Sequence, residues 1–108
     1  MYKVYLIKNL SENHYKIGYT RRKVEDRLNE FKTGNSSDLA VITFFESEWG
    51  SKIEAALHKR FSTKKVDREW FNLTREDVEN FFSDCQKIHD SLNHLNSKNT
   101  WVESRGFL

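Results

Sequence analysis

The chain has 108 residues, a formal net charge of +2, 37% hydrophobic residues and 31% charged residues. That length makes one domain with a modest core, and charges this mixed in sign exclude wholesale disorder and leave bulk charge unable to name a partner. No apolar run approaches the ~20 residues that span a bilayer, and a single cysteine, Cys85, excludes an internal disulfide and a cysteine-rich zinc site, so a cytoplasmic protein with no membrane partner is expected.

Tyr2 to Lys8 alternates Tyr2, Val4 and Leu6 against Lys3, Tyr5 and Ile7 and reads as a strand. Asn9 to Asn13 is turn chemistry. His14 to Thr20 reads as a second strand, closing a hairpin, and Gly18 within it marks a bulge or a close backbone approach. Lys23 to Lys32 sets Val24, Leu28 and Phe31 at helical spacing, with Gly34 as its stop. After a polar loop from Asn35 to Asp38, the dense apolar run Leu39 to Phe45 predicts a buried central strand.

Ser51 to Phe61 reads as a helix with Ile53, Ala56, Leu57 and Phe61 inward and Ser51 as its N-cap. Ser62 to Glu69 is basic and irregular, and Trp70-Phe71 is a short aromatic element. Thr74 to Asp77 has the form of a capping box opening a last helix, whose stripe runs from Val78 through Phe81, Phe82, Cys85, Ile88 and Leu92 to Leu95. The expectation is one α+β domain over residues 1–95, a small three-stranded antiparallel sheet flanked by helices in the order β-β-α-β-α-α, with residues 96–108 as a polar tail.

Glu54 and His58 lie one helical turn apart and share a face. The spacing suits a metal pair; a surface ion pair is the commoner use of it. Arg27 reads as a solvated helix residue, Lys16 as a solvent-facing strand lysine, and Tyr5, Tyr15 and Tyr19 as packing tyrosines. Arg21, Arg22 and Lys23 form one basic cluster, and Lys59, Arg60, Lys64, Lys65 and Arg68 a second. These make either a phosphate-binding surface or a solubilising face with acidic partners. There is no glycine-rich phosphate loop and no Ser-His-Asp arrangement. Cys85 fits the apolar stripe and reads as core.

In chain order, Lys3-Val4-Tyr5 followed by Leu6 to Asn9, Lys16-Ile17-Gly18, Arg27, Glu54 within its helix, and Trp70-Phe71-Asn72 resemble the motifs of the GIY-YIG nuclease superfamily. The resemblance is to the T5orf172/Mug113-like branch and covers most of the chain. Lys3 stands where the first motif has glycine, and Lys16 where the second has tyrosine. A register using Tyr15 instead is disfavoured, because strand alternation turns Tyr15 and Lys16 to opposite faces and Ile17-Gly18 anchors Lys16.

The resemblance implies a metal-dependent endonuclease hydrolysing DNA phosphodiester bonds, in a phage or mobile-element setting. Glu54 would hold one Mg²⁺ or Mn²⁺. Tyr5 would be the general base or orient the nucleophile, with Lys16 as the cation that lowers its pKa. Arg27 would bind the scissile phosphate, and Tyr19 would sit near the attacking water. His58 and Asn72 would be supporting residues. Arg21, Arg22, Lys23, Lys59, Arg60, Lys64 and Lys65 become candidate DNA contacts. With no separate reader region expected, recognition falls to the module's own loops, a homodimer or a specificity partner. The altered motifs leave two other readings, a catalytically inactive nucleic-acid-binding module and an interaction protein on the same scaffold.

Overall fold

The first hairpin forms where the alternation sets it. β1 (Tyr2–Asn9) and β2 (His14–Thr20) pair antiparallel, with Tyr5 opposite Gly18 and Leu6 opposite Ile17. Asn9 closes the turn: its Oδ1 accepts from the Ser11 N–H at 3.0 Å and the Glu12 N–H at 3.1 Å. Asn13 follows at φ 58°, a left-handed conformation that asparagine tolerates. The computed structural model describes residues 1–33 and 38–105, with side chains over 1–32 and 38–96. The expected stop at Gly34 and the loop residues Asn35 to Ser37 lie outside the described residues.

β1 is an interior strand, between β3 and β2. The sheet has five strands in the order β3-β1-β2-β5-β4, not three. Val4, Leu6 and Ile7 are 0% exposed and Tyr5 1%, so both faces of β1 are covered. β3 (Leu39–Ser47), expected at the centre, is an edge strand that pairs with β1 and leaves Ile42 and Phe44 exposed. Apolar content alone does not tell a central strand from an edge. The two additional strands come from the basic stretch. A 3-10 turn over Ser62–Lys64 leads into β4 (Lys65–Asp67), which turns through Arg68 at φ 48° into β5 (Trp70–Phe71). β5 joins β2 through Tyr15–Phe71 and Lys16–Trp70. Strands this short show no alternation to read.

α1 (Val24–Thr33) covers one face, where Tyr5, Ile7, Val24 and Leu39 pack with Leu28, Phe31 and Trp70. α2 (Gly50–Arg60) and α4 (Phe81–Arg105) cover the other, over Val4, Leu6, Ile17, Ile53, Leu57 and Phe71. α2 starts one position before the expected cap: Trp49 is the N-cap residue and makes no side-chain cap bond. Gly50 lets the helix begin against β1, since a Cβ there would stand 2.8 Å from Cγ of Tyr2.

The capping box at Thr74 forms as read, with the Asp77 N–H donating to Thr74 Oγ1 and the Thr74 N–H to Asp77 Oδ2. It opens a short α3 (Arg75–Glu79), which Asn80 separates from α4. Cys85 is buried, as its stripe requires. α4 runs on past Leu95 to Arg105, because nothing in that polar stretch breaks a helix. The side chain of Trp101 and residues Phe107 and Leu108 lie outside what is described.

Candidate active site

Among the described residues no strand lies beside the outer edge of β2 beyond Lys16, since β5 pairs with Tyr15 and Lys16 alone. The backbone groups of Ile17 are satisfied in another way. Its N–H donates to the Glu69 carbonyl at 3.2 Å, and its carbonyl accepts from His58 Nε2 at 2.8 Å. The His58 ring also stands edge-on to Phe71, 4.9 Å between centroids. At this edge Glu54, from α2 on one face, comes within electrostatic reach of Tyr5 and Lys16 on the other.

Tyr5 points toward α1, where its phenol shares a hydrogen bond with Arg27. Burial raises the Tyr5 pKa above the ordinary phenol value; the Arg27 hydrogen bond and charge pull it down, and Glu69 and Glu54 add to the rise. Arg27 is itself held: its Nη1 donates to Glu30 Oε1 at 2.9 Å, and its guanidinium lies 4.7 Å above the Phe31 ring. Glu30 also takes a two-pronged contact from Arg22, at 2.5 and 2.9 Å. Arg22, then Arg27, draw the Glu30 carboxyl down to about 2.

The cation beside Tyr5 is therefore Arg27, not Lys16 as expected. Lys16 is drawn elsewhere, to Glu69 Oε2 at 3.0 Å, with its ammonium 4.7 Å from the Phe31 ring and 5.5 Å from the Trp70 ring. It is 8% exposed, and a buried ammonium needs such a partner.

Glu54, His58 and Glu69 complete the arrangement. One ligand atom from each lies within 4.8 Å of the others, and all three side chains are partly buried. Burial holds the Glu54 carboxyl above its usual range, the facing Glu69 carboxylate adds to this, and His58 and Lys16 oppose it. Two carboxylates and an imidazole crowded at a half-buried edge are a donor set that suits a divalent cation. The residues present fit the metal that the resemblance implies.

Residues 2–86 match the T5orf172 domain. The chain belongs to the T5orf172 domain family. That family is part of the GIY-YIG-like nuclease superfamily, so the chain is nuclease-related. No curated protein and no solved structure matches the chain at a significant level.

The fold of this T5orf172 domain brings together Tyr5, Lys16, Arg27, Glu54 and His58. Tyr19 and Asn72 are not joined to them by a hydrogen bond, ion pair or ring contact among the described residues. Tyr19 is paired with Val4, alternates onto the α2 face, and meets the Tyr2 ring edge-on at 5.6 Å. Asn72 is exposed, and its backbone N–H donates to the Lys64 carbonyl. Tyr15 is buried in the α2-side core, opposite to Lys16, as alternation required.

The basic residues divide by partner. Arg21 donates to the Tyr2 hydroxyl, Arg22 is held by Glu30, Arg60 by Asp84 and Lys64 by Asp77. Lys23, Lys59 and Lys65 are exposed and form no ion pair among the described residues. Glu69 is the site residue that sequence reasoning missed. Its signal was a carboxylate directly before the Trp70-Phe71 element, within a stretch read as irregular. No helix among the described residues is long and apolar enough to cross a membrane.

Proposed function

We propose that this T5orf172 domain is a metal-dependent endonuclease that hydrolyses DNA phosphodiester bonds. The observation that carries this reading is the hydrogen-bonded Tyr5–Arg27 pair set within electrostatic reach of Glu54. Arg27 spends one donor on Glu30 and one on Tyr5, and its remaining N–H groups are offered to a phosphate. Tyr5, buried and mostly protonated at neutral pH, orients the attacking water; in its ionised fraction the phenolate, stabilised by Arg27, accepts one proton from that water and leaves hydroxide to attack the phosphorus. Lys16 is a fixed positive charge on the same strand face, held by Glu69 against Phe31 and Trp70.

Glu54 would hold one Mg²⁺ or Mn²⁺, with His58 beside it. A bound ion supplies polarisation of the phosphate and stabilisation of the leaving oxygen. Lys23, Lys59 and Lys65, exposed and without an ion pair among the described residues, are cations free to contact phosphates. Tyr19 and Asn72 belong to this proposal as residues reached by substrate rather than by the site's own contacts. A phage or mobile-element setting, the cytoplasm as its compartment, and a homodimer or a further protein supplying specificity complete the reading.

The test is cleavage of supercoiled plasmid with Mg²⁺, Mn²⁺ or EDTA, wild type beside Glu54→Ala. Metal-dependent nicking lost in the variant is expected. Cleavage that persists unchanged in Glu54→Ala overturns the site. Salt-sensitive DNA binding that is indifferent to metal and to Glu54, without cleavage, establishes the binding-module reading in its place.

A further inference from the structure

Glu69 extends the reading above, on which this inference rests. We propose that Glu54, His58 and Glu69 together form a three-ligand site that prefers a transition-metal dication of the Mn²⁺ class to Mg²⁺. Three features of the edge of β2 converge on it. First, one ligand atom from each side chain, a ring nitrogen in the case of His58, already lies within 4.8 Å of the others, so the three converge on one place with small side-chain adjustments. Second, His58 Nε2 is committed to the Ile17 carbonyl at 2.8 Å. In the neutral ring that makes Nε2 the donor and leaves the lone pair on Nδ1. A ring nitrogen tied to a backbone carbonyl while the other is left to ligate is how proteins fix a metal-binding histidine.

Third, Lys16 engages only Oε2 of Glu69, at 3.0 Å. Oε1 of the same carboxylate has no hydrogen-bond or ion-pair partner among the described residues. Glu69 can therefore bridge, with one oxygen on the ammonium and the other on the ion. That would link Lys16 to the ion through a shared carboxylate. The backbone reinforces this placement, since the Glu69 carbonyl accepts from the Ile17 N–H while the Ile17 carbonyl holds His58. An imidazole in the donor set is what shifts preference away from Mg²⁺, which favours oxygen ligands and retained water.

The experiment is a titration of the full chain with MnCl₂, read by the electron paramagnetic resonance signal of free Mn²⁺ and repeated with Mg²⁺ as competitor. Wild type is expected to bind one Mn²⁺ per chain, with Mg²⁺ displacing it only at large excess. Glu69→Gln and His58→Gln are each expected to weaken Mn²⁺ binding by about ten- to a hundredfold. His58→Gln is also expected to erase the Mn²⁺-over-Mg²⁺ preference. Lys16→Met removes a positive charge that repels the ion and is expected to tighten Mn²⁺ binding, an outcome that no loss of folding can imitate. Wild-type affinity in both Glu69→Gln and His58→Gln overturns the three-ligand site, and so does a wild type that binds no Mn²⁺. If Glu54→Gln alone loses the ion, this inference fails while the single-carboxylate metal of the proposed nuclease stands. If Glu54→Gln binds Mn²⁺ as wild type does, both fail.

Discussion

Gly18 and Tyr5 face each other across the β1–β2 ladder with no room for a methyl group between them: a Cβ on Gly18 would stand 2.5 Å from Cζ of Tyr5. The glycine is therefore what lets the phenol lie over β2 and reach Arg27. Gly18→Ala is expected to push the ring aside, costing about 1–3 kcal/mol of stability by overpacking and most of the plasmid cleavage. Urea unfolding and the cleavage assay check this together. A variant as stable and as active as wild type would show that the phenol's position is not set by this contact.

Arg27 is expected to be irreplaceable by lysine. A lysine keeps the charge but not the planar set of donors that serves Tyr5, Glu30 and a phosphate at once. Arg27→Lys should lower cleavage by about a hundredfold or more, the scale of losing a donor to developing charge. Because burial holds the Tyr5 phenol above its ordinary pKa, the reactive phenolate is scarce at neutral pH. Wild-type cleavage should climb as pH rises into the alkaline range, and Tyr5→Phe should abolish that climb. A pH-independent wild type would remove Tyr5 from proton transfer.

The basic residues should not contribute equally to DNA binding. Lys59 and Lys65 are exposed and unpaired, whereas Arg60 lies 3.0 Å from Asp84. Lys59→Ala and Lys65→Ala are each expected to lower the slope of log affinity against log salt by about one. Arg60→Ala should change it less, because Asp84 already neutralises that charge. Anisotropy titrations at several salt concentrations separate these outcomes; equal effects from all three would mean that Arg60 leaves Asp84 for the phosphate.

Asp77 links stability to pH. Burial raises its carboxyl, but the Lys64 hydrogen bond and the Thr74 cap outweigh this and hold it below its ordinary value of 3.8. A carboxyl depressed in the folded state contributes stability that is present above the unfolded value and lost as pH falls through the folded one. Asp77→Asn should therefore cost about 1 kcal/mol at pH 7, on the scale of a lost cap. The cost should shrink as pH falls below about 4, where protonation does the same to wild type. Unfolding midpoints of both chains at the two pH values decide the matter.

Cys85 should be chemically silent. Burial, with Asp84 adding to it, pushes its thiol up to about 12. A thiol-reactive probe at pH 8 is expected to label it only after denaturation, since the thiolate is the reactive form. Fast labelling of the native chain would show that α4 opens readily from the core.

What could be read in the sequence was whatever repeats over a span. Alternation gave the first hairpin, helical spacing gave α1 and α2, and the capping box at Thr74 gave the start of α3. The placing of Lys16 on that hairpin and of Arg27 and Glu54 on the helices beside it followed from these. The β4–β5 hairpin was not legible, because strands of 3 and 2 residues carry no period. Glu69 was lost with it: its place in the site depends on the turn at Arg68 and on pairing with β2, both long-range events. The same reason hid the partner of Lys16. Local pattern shows which face a strand lysine takes, but not which distant carboxylate waits there. β3 misled for another reason, since its apolar run is shared between a packed side and an open edge.

The separation of the site's parts along the chain has a consequence for how the activity comes into being. Lys16 meets a carboxylate 53 positions away, and the Ile17 carbonyl meets a histidine 41 positions away. Such closures are late and slow compared with the local turn at Asn9. A chain emerging from the ribosome can form its first hairpin early, yet it holds an incomplete set of reactive groups until β5 has been made and has docked on β2. The full set of site residues then arrives with the finished fold rather than by degrees, and on the proposed nuclease reading a prematurely ended chain lacking β5 is expected to leave the DNA around it uncut.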